Sequence, residues 1–325
     1  MCAELPRPET GRGSNGEAID PALDRNAGGL MQRQDWLELV LLSILWGLTY
    51  FLVAIAVGEI PPLTLVLARC LLATAILVPI VWLLGHRLPS NLRHWWPFAV
   101  MGILNNIIPF SLVFFAQQYI ASALAAVINS ATPLMTLLVA RLVAGEPMAG
   151  HKLTGVLVGL AGVAVLMGPD IAGFDGIVAI AMLATLGGTL SYGFSGLWGR
   201  RFKDNPPIVT AASQLAMSSL MLLPIAATAD RFWELPLPSY PALGAVLGLA
   251  VLSTAMAYIL FFRIMARAGS NNVMLVTLLI PVTSIALGIL ILGENLAANQ
   301  IAGALIIGLS LLVIDGRLFG IAPKR

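Results

Sequence analysis

The chain has 325 residues, of which 58% are hydrophobic and only 10% are charged. Soluble domains carry about 25% charged residues, so this composition excludes an ordinary soluble protein and predicts a chain that crosses a membrane several times. The formal net charge of +2 is too small to indicate nucleic-acid binding. Cys2 lies in the N-terminal tail and Cys70 inside an apolar run, so we expect no disulfide.

Residues 1–35 are rich in Pro, Gly, Arg and Asp and contain almost no apolar run, which predicts a disordered cytoplasmic tail. Ten apolar runs follow, and a run of about 20 residues is enough to cross a bilayer as a helix. The linkers are short and leave no room for a soluble domain. A second cytoplasmic tail is predicted at residues 319–325. The runs lie near residues 36–57, 62–84, 96–117, 121–143, 153–168, 176–199, 207–228, 241–263, 271–292 and 299–317.

One stretch of the chain occurs twice. Residues 122–166 align with residues 270–314 without a gap, and Pro133 matches Pro281 at an offset of 148 (281 − 133 = 148). A repeat this long indicates a duplicated half-protein. A proline inside an apolar run is tolerated where protein or a cavity faces the freed backbone groups, so we expect a kink or hinge at both prolines.

The two halves, 36–168 and 176–318, hold five runs each. Because five is odd, the second half is predicted to enter the membrane in the opposite direction, as an inverted repeat. Basic residues in short loops set the orientation. The loops on one side contain Arg25, Arg33, Arg87, Arg93, Lys152, Arg200, Arg201, Lys203, Arg263, Arg267, Arg317, Lys324 and Arg325. The opposite loops contain only Arg231, so both termini of this multi-pass inner-membrane protein are predicted to be cytoplasmic.

Several short motifs carry a resemblance to a known family. The first half has Trp46-Gly47, the segment PLTLVLARCLLA around Arg69, and an Ala-Thr-Pro run that ends in Gly145-Glu146. The second half has STAMAYILFFRIMARAGSN, then Pro281, Gly293-Glu294 and Gly303. With these motifs the chain resembles the EamA-like branch of the drug/metabolite transporter superfamily over residues 36–318. The resemblance implies ten helices in two inverted halves around a central cavity, and export of small metabolites.

Arg69 is the one charge near the middle of an apolar run. An arginine at a helix centre costs about 2.5 kcal/mol or more on insertion scales, so it usually faces a cavity or a partner. One interpretation is a counter-ion for a substrate carboxylate or phosphate. The other is structural, with Arg69 holding backbone carbonyls or reaching outward. Gln214 is the uncharged match in the second half, 145 residues on.

Other polar and aromatic side chains are predicted at mid-membrane depth, where a wide cavity with aromatic walls and a few amides would suit amphipathic small molecules. Each can equally serve helix packing. The candidate substrate-binding residues, with Arg69 and Gln214, are Trp46, Tyr50, Asn105, Asn106, Asn129, Ser191, Tyr192 and Tyr258. Glu146 and Glu294 lie just beyond helix ends, where caps or ion pairs are expected.

The sequence contains no Walker-type phosphate loop and no cluster of acids or histidines, so neither a catalytic site, a cofactor nor a metal is expected. The leading hypothesis is a secondary transporter that exports small metabolites such as amino acids, with a small-molecule substrate and the lipid bilayer as its partners. A nucleotide-sugar or phosphate-ester exchanger of the same superfamily is one alternative. A membrane-embedded enzyme or signalling protein is the other. The sequence does not indicate an oligomeric state.

Overall fold

The structure is a computed structural model that describes residues 32–168, 176–268, 270–273 and 275–315. The tail predicted at 319–325 lies outside these ranges, and so does the N-terminal tail up to residue 31. Residues 33–35 form the first turn of a helix. Every regular element within the described ranges is a helix, which confirms the predicted all-α class.

The α-helices are Arg33–Ala56 (α1), Pro62–Leu83 (α2), Trp96–Gly102 (α3), Ile108–Ala116 (α4), Ser122–Asn129 (α5), Thr132–Val143 (α6), Gly150–Met167 (α7), Gly176–Gly199 (α8), Pro207–Ala229 (α9), Tyr240–Ala250 (α10), Ala257–Ala268 (α11), Ser270–Val273 (α12), Val276–Leu290 (α13) and Ala298–Asp315 (α14). Two π-helices, Ile103–Ile107 and Val251–Met256, join α3 to α4 and α10 to α11. Short 3₁₀ turns cover Leu92–His94, Arg200–Phe202 and Phe232–Glu234.

Within the described ranges, eight helical segments are long and apolar enough to cross a membrane, which makes this a multi-pass membrane protein. They are Arg33–Ala56, Pro62–Leu83, Leu92–Ala116, Ser122–Val143, Gly150–Met167, Gly176–Phe202, Pro207–Ala229 and Tyr240–Met265. Two shorter apolar helices follow, Val276–Leu290 and Ala298–Ile314.

Proline and glycine set several of the helix ends. Pro62 and Pro207 occupy the first turns of α2 and α9, where a missing N–H costs nothing and the fixed φ fits the helix. After α6 and α13 the chain turns at Gly145 and Gly293, whose φ values are 66° and 68°. The next N–H then bonds six residues back, from Glu146 to Ala140 O (3.2 Å) and from Glu294 to Gly288 O (3.0 Å). The glycine with positive φ lets the chain reverse after the helix, and the bond closes a turn one residue wider than the 6→1 bond of the Schellman motif.

Helix α7 packs along α14 in antiparallel fashion, with glycines at the closest points. A Cβ added to Gly155 would lie 2.5 Å from Ile314 Cγ1, and one added to Gly303 would lie 2.4 Å from Leu166 Cβ. In a bilayer the hydrophobic effect does not drive helices together, so they associate through close packing, which small residues permit.

Helices α2 and α9 form the other extensive antiparallel pair. The start of α2 meets the end of α9, where the Thr64 N–H and hydroxyl both donate to the Asp230 carboxylate at 2.8 Å. Further along, Leu65, Leu77, Leu215 and Leu222 are fully buried in the main core. This pairing brings Arg69 and Gln214 into the interior.

Candidate functional site

Arg69 lies in α2 with only 4% of its surface exposed. Its Nε donates to the Thr254 hydroxyl at 2.8 Å, and its guanidinium carbon lies 4.0 Å from the centroid of the Phe110 ring. A desolvated cation–π contact is worth about 2 kcal/mol, which offsets much of the cost of the buried charge. Within the described chain, the buried Nη1 has no hydrogen-bond partner. Arg69 is therefore held at Nε and over the Phe110 ring, while its buried Nη1 keeps its N–H groups without an acceptor.

Both π-helices supply side chains to this region. Thr254 lies in the second one, where its hydroxyl donates to Leu249 O at 2.7 Å while accepting from Arg69. Asn105 and Asn106 lie in the first. The starts of the two π-helices are 148 residues apart (251 − 103 = 148), which is the offset of the sequence repeat. Single π-turns are frequent at functional sites because the wider turn redirects side chains.

A network of amides and hydroxyls lies across three helices and the first π-helix. The Asn105 amide N–H₂ donates to Gln214 Oε1 (3.4 Å) and Tyr258 OH (3.3 Å), and Gln214 Nε2 donates to Tyr258 OH at 3.4 Å. The single Ser195 hydroxyl proton has two acceptors within reach, Tyr192 O at 2.9 Å and Asn105 Oδ1 at 3.2 Å. The bonds that join Asn105, Gln214 and Tyr258 are long, and hydrogen bonds weaken beyond about 3.2 Å. A polar ligand could therefore exchange for them at small cost.

Three tyrosines are electrostatic neighbours of the Arg69 charge. Tyr50, Tyr192 and Tyr258 all lie within electrostatic range of its guanidinium, and Tyr50 is 6% exposed. Two other predicted residues, Ser191 and Asn106, form hydrogen bonds that link helices to each other. Ser191 Oγ donates to Leu104 O at 2.7 Å, and Asn106 Nδ2 donates to Ser218 Oγ at 3.0 Å.

Two of the predicted residues have their recorded contacts elsewhere. Trp46 packs on Phe261 with ring centroids 5.5 Å apart, beside a smaller core that α1 shares with α11. Asn129 ends α5, and its main-chain oxygen accepts from the Thr132 hydroxyl at 2.7 Å. Its buried Oδ1 has no hydrogen-bond partner among the described residues.

The two predicted kink prolines differ in their settings. Pro281 lies inside α13. Pro133 lies in the first turn of α6, just after the chain leaves α5 at Asn129 and turns through Ser130 and Ala131. The segment 122–143 is therefore two helices joined by a turn, because proline favours a helix start over a helix interior.

Phe110, Thr254 and Ser195 are contacts of the site that the sequence analysis did not name. The repeat carried a signal for the first two. Phe110 matches Tyr258, and Thr254 matches Asn106, at the same offset (258 − 110 = 148 and 254 − 106 = 148). Ser195 had no such signal, since a serine in an apolar helix is common and usually bonds to its own backbone.

Carboxylates connect different helices at the ends of the bundle. Glu294 accepts from the N–H groups of Ser122 (2.7 Å) and Ala123 (2.9 Å) and so caps α5. Glu146 pairs with Arg200, whose hydrogen bond holds the pKa of that carboxyl below its ordinary value. Caps and ion pairs were expected for both glutamates.

A third carboxylate, Glu59, joins the loop after α1 to the start of α10. It accepts from the Ser239 hydroxyl (2.6 Å) and N–H (2.7 Å). Both bonds lower the pKa of Glu59 from its ordinary value, and the bond from the hydroxyl has the larger effect.

Two cavities open near the ends of the bundle, with volumes of about 530 Å³ and 200 Å³. Neither includes Arg69 in its lining. Arg69 itself is only 4% exposed and is buried among its neighbours in this conformation.

Comparison with known proteins gives the fold first. A solved crystal structure, described only as a protein, superposes with a TM-score of 0.61 at 21% identity and covers 89% of this chain and 99% of its own. At this identity the likeness concerns the fold alone.

Relatives in bacteria match over most of their length. The uncharacterized transporter YvbV of Bacillus subtilis is 28% identical, covering 86% of this chain and 90% of the relative. The uncharacterized inner membrane transporter YedA of Escherichia coli K12 is 27% identical, covering 87% and 91%. A probable amino-acid metabolite efflux pump of Salmonella typhimurium is 24% identical, covering 91% and 98%.

The model of the EamA-like transporter family matches residues 36–168 and again residues 179–315. Together these matches cover most of the chain. The family and the relatives described above are transporters rather than enzymes. The chain therefore belongs to the EamA-like transporter family.

Proposed function

We propose that this protein is a secondary transporter of the inner membrane that exports small metabolites such as amino acids by alternating access. Family membership supports transport across a membrane. The named inner-membrane transporter of Escherichia coli and the probable amino-acid metabolite efflux pump of Salmonella typhimurium favour the location and the substrate class.

In this proposal the chain forms two inverted five-helix halves, and the two shorter helices α13 and α14 complete a set of ten spans. The antiparallel packing of α7 on α14 supports it, because Gly155 and Gly303 are repeat partners (303 − 155 = 148) and lie near opposite ends of that pair. Glu146 and Glu294 give the same support. Glu294 binds at the Ser122 end of the segment 122–143, whereas Glu146 follows its other end.

The observation that carries the substrate class is the free Nη1 of Arg69, a buried donor on a fixed cation. A carboxylate matches a guanidinium in geometry and charge, and charge-assisted hydrogen bonds are about twice as strong as neutral ones. An amino acid also carries an ammonium group, which needs oxygen acceptors. The Tyr258 hydroxyl, an electrostatic neighbour of Arg69, is one such acceptor, and the side-chain oxygens of Asn105 and Gln214, whose amides are hydrogen-bonded to that hydroxyl, supply two more. The proposed site thus offers a guanidinium for the carboxylate and oxygen acceptors for the ammonium group.

The phosphate-ester alternative would call for a second cation at this depth. Among the buried polar side chains that the structure describes, Arg69 is the one cation. A carboxylate needs one guanidinium, so the structure favours the carboxylate over a phosphate ester.

Counterflow in proteoliposomes tests the proposal. Vesicles preloaded with an unlabelled amino acid should accumulate the labelled form transiently, and the solute should be recovered unchanged. Label recovered as a different compound, or no accumulation with any of the twenty amino acids, would overturn amino-acid transport.

A further inference from the structure

The larger cavity lies where the turn after α2 meets the turn before α9. Its lining includes His86, Arg87, Arg93, His94 and Arg201, and none of the thirteen described residues that line it is a carboxylate. Its volume of about 530 Å³ is within the range of ligand sites. This composition favours an anion.

Aromatic contacts fix the floor of this cavity. Phe98 stacks on Phe202 with centroids 4.7 Å apart, which joins the start of α3 to the turn before α9. Trp198 Nε1 donates to Pro97 O at 3.0 Å and ties the end of α8 to the same place. The cavity is thus built on packed side chains that come from three helical segments.

The cations of the cavity are available to a ligand. The Arg201 guanidinium lies 3.3 Å from the centroid of the Trp198 ring. A guanidinium stacked in this way keeps its N–H groups pointing outward in its own plane. Arg87, Arg93 and Arg201 make no ion pair with any carboxylate in the part of the chain that the structure describes.

Large apolar side chains lie exposed beside the cavity. Leu83 and Leu92 are 85% and 86% exposed, and Trp82 and Trp96 are more than half exposed. Leu83 ends a membrane-spanning helix and Leu92 begins another span. Tryptophans concentrate where helices leave the bilayer, which favours a position at headgroup depth for this cavity.

We propose that this cavity binds the phosphate headgroup of an anionic phospholipid, with Arg87, Arg93 and Arg201 around the phosphate and an acyl chain along Leu83 and Leu92. Basic pockets between spanning helices bind such headgroups. Arg69 lies outside this cavity, so the lipid site can be tested independently of the proposed transport function.

The test measures lipid retention by the purified full-length protein in a neutral detergent, with native mass spectrometry as the readout. The wild-type protein should retain phosphatidylglycerol in preference to phosphatidylcholine of the same chain length. Replacing Arg87, Arg93 and Arg201 together by Gln should abolish that preference. Each single replacement should weaken it about fivefold, the effect of about one surface charge.

Lys152→Gln is the matched control, since Lys152 lies in the first turn of α7, outside the cavity lining, and its loss also removes one positive charge. It should leave the preference unchanged. Inorganic phosphate and glycerol 3-phosphate form the second arm, with the wild-type protein alone, and neither should displace the lipid at millimolar concentration. Equal retention of both lipids by the wild-type protein would overturn the proposal, and so would displacement by either soluble phosphate, which would assign the site to a free anion.

Discussion

Phe110 and Tyr258 hold matching positions in the two halves of the chain but bind different partners. The Phe110 ring lies 4.0 Å under the Arg69 guanidinium, whereas the Tyr258 hydroxyl accepts from Gln214, the residue that matches Arg69. One half thus presents a cation on an aromatic face, and the other presents an amide with a phenol. The site is asymmetric although both pairs of residues come from the sequence repeat.

The first prediction concerns Arg69. Arg69→Lys keeps the charge but loses the planar fork, so transport of a carboxylate solute should fall, and Arg69→Gln should lower it further. Removal of a charge-assisted hydrogen bond costs about 1.5–3 kcal/mol, or about ten- to hundredfold in apparent affinity. The measurement is uptake of a carboxylate and its matched amide, normalised to protein in the membrane. Equal losses for both solutes would remove Arg69 from the binding site.

The second prediction concerns Thr254, which positions Arg69 through its hydroxyl. Thr254→Val leaves Arg69 Nε buried without an acceptor, which should lower the free energy of unfolding by about 1–3 kcal/mol. It should also weaken carboxylate binding more than amide binding. Thr254→Ser keeps the hydroxyl and serves as the control. A Val variant that behaves like the wild type, together with an impaired Ser variant, would show that packing of the methyl group matters rather than the hydrogen bond.

The third prediction concerns the α7–α14 contact. Gly303→Ala would place a methyl group 2.4 Å from Leu166 Cβ and 2.6 Å from its Cα, so the two helices must separate. Overpacking of this kind costs about 1–3 kcal/mol, visible as a lower melting temperature in detergent. Gly308→Ala, in the same helix with no atom within 4 Å, should be neutral or slightly stabilising. Similar melting temperatures for the two variants would contradict the close packing.

The fourth prediction concerns pH. The pKa of Glu59 is lower in the folded protein than its ordinary value, so its bonds to Ser239 stabilise the fold above the unfolded pKa and are lost as pH falls through the folded one. Glu59→Gln should therefore flatten the loss of melting temperature between pH 6 and acidic pH. Ser239→Ala removes the main donor and should flatten it in the same way. An unchanged pH profile in both variants would count against this contact.

The fifth prediction concerns energy coupling. Proton-coupled carriers usually keep an acid or histidine within the membrane. The one buried carboxylate among the described residues is Asp35, which lies in the first turn of α1 and pairs with Arg267. We therefore expect facilitated flow or exchange, with no carboxylate at the site driving transport. Glu294→Gln should lower stability through the α5 cap and leave transport per folded protein unchanged.

Transport measured under an imposed pH gradient tests this prediction. Uphill transport that follows the gradient in the wild-type protein and disappears in Glu294→Gln would assign the coupling role to that carboxylate instead of the cap.

The sequence was most informative where one physical rule dominates. Long apolar runs require helices in a membrane, so the class and most of the spans followed from composition. Arg69 stood out because a charge in an apolar run is costly. Its partners did not, since Phe110 and Thr254 look like ordinary core residues until the π-turns bring them beneath and beside the guanidinium.

The break between α5 and α6 could not be predicted from the hydropathy of the sequence. The segment Ser122–Val143 is apolar enough as a whole to be taken for one helix, and only the backbone reveals that Pro133 lies in the first turn of a second one. Trp46 and Tyr50 are one helical turn apart, yet the Trp46 ring packs on Phe261 beside the smaller core whereas Tyr50 belongs to the main one. Helical spacing defines a face but not the neighbour that covers it.

The free Nη1 of Arg69 has a kinetic consequence. A buried donor with no acceptor costs about 1–3 kcal/mol, and if Arg69 binds the substrate carboxylate as proposed, that cost falls on the carrier whenever it closes empty. A loaded carrier closes without it. Return of the empty carrier then becomes the slow half of the cycle. Substrate on the side to which the carrier delivers its load lets the carrier return loaded, and it therefore speeds transport from the first side.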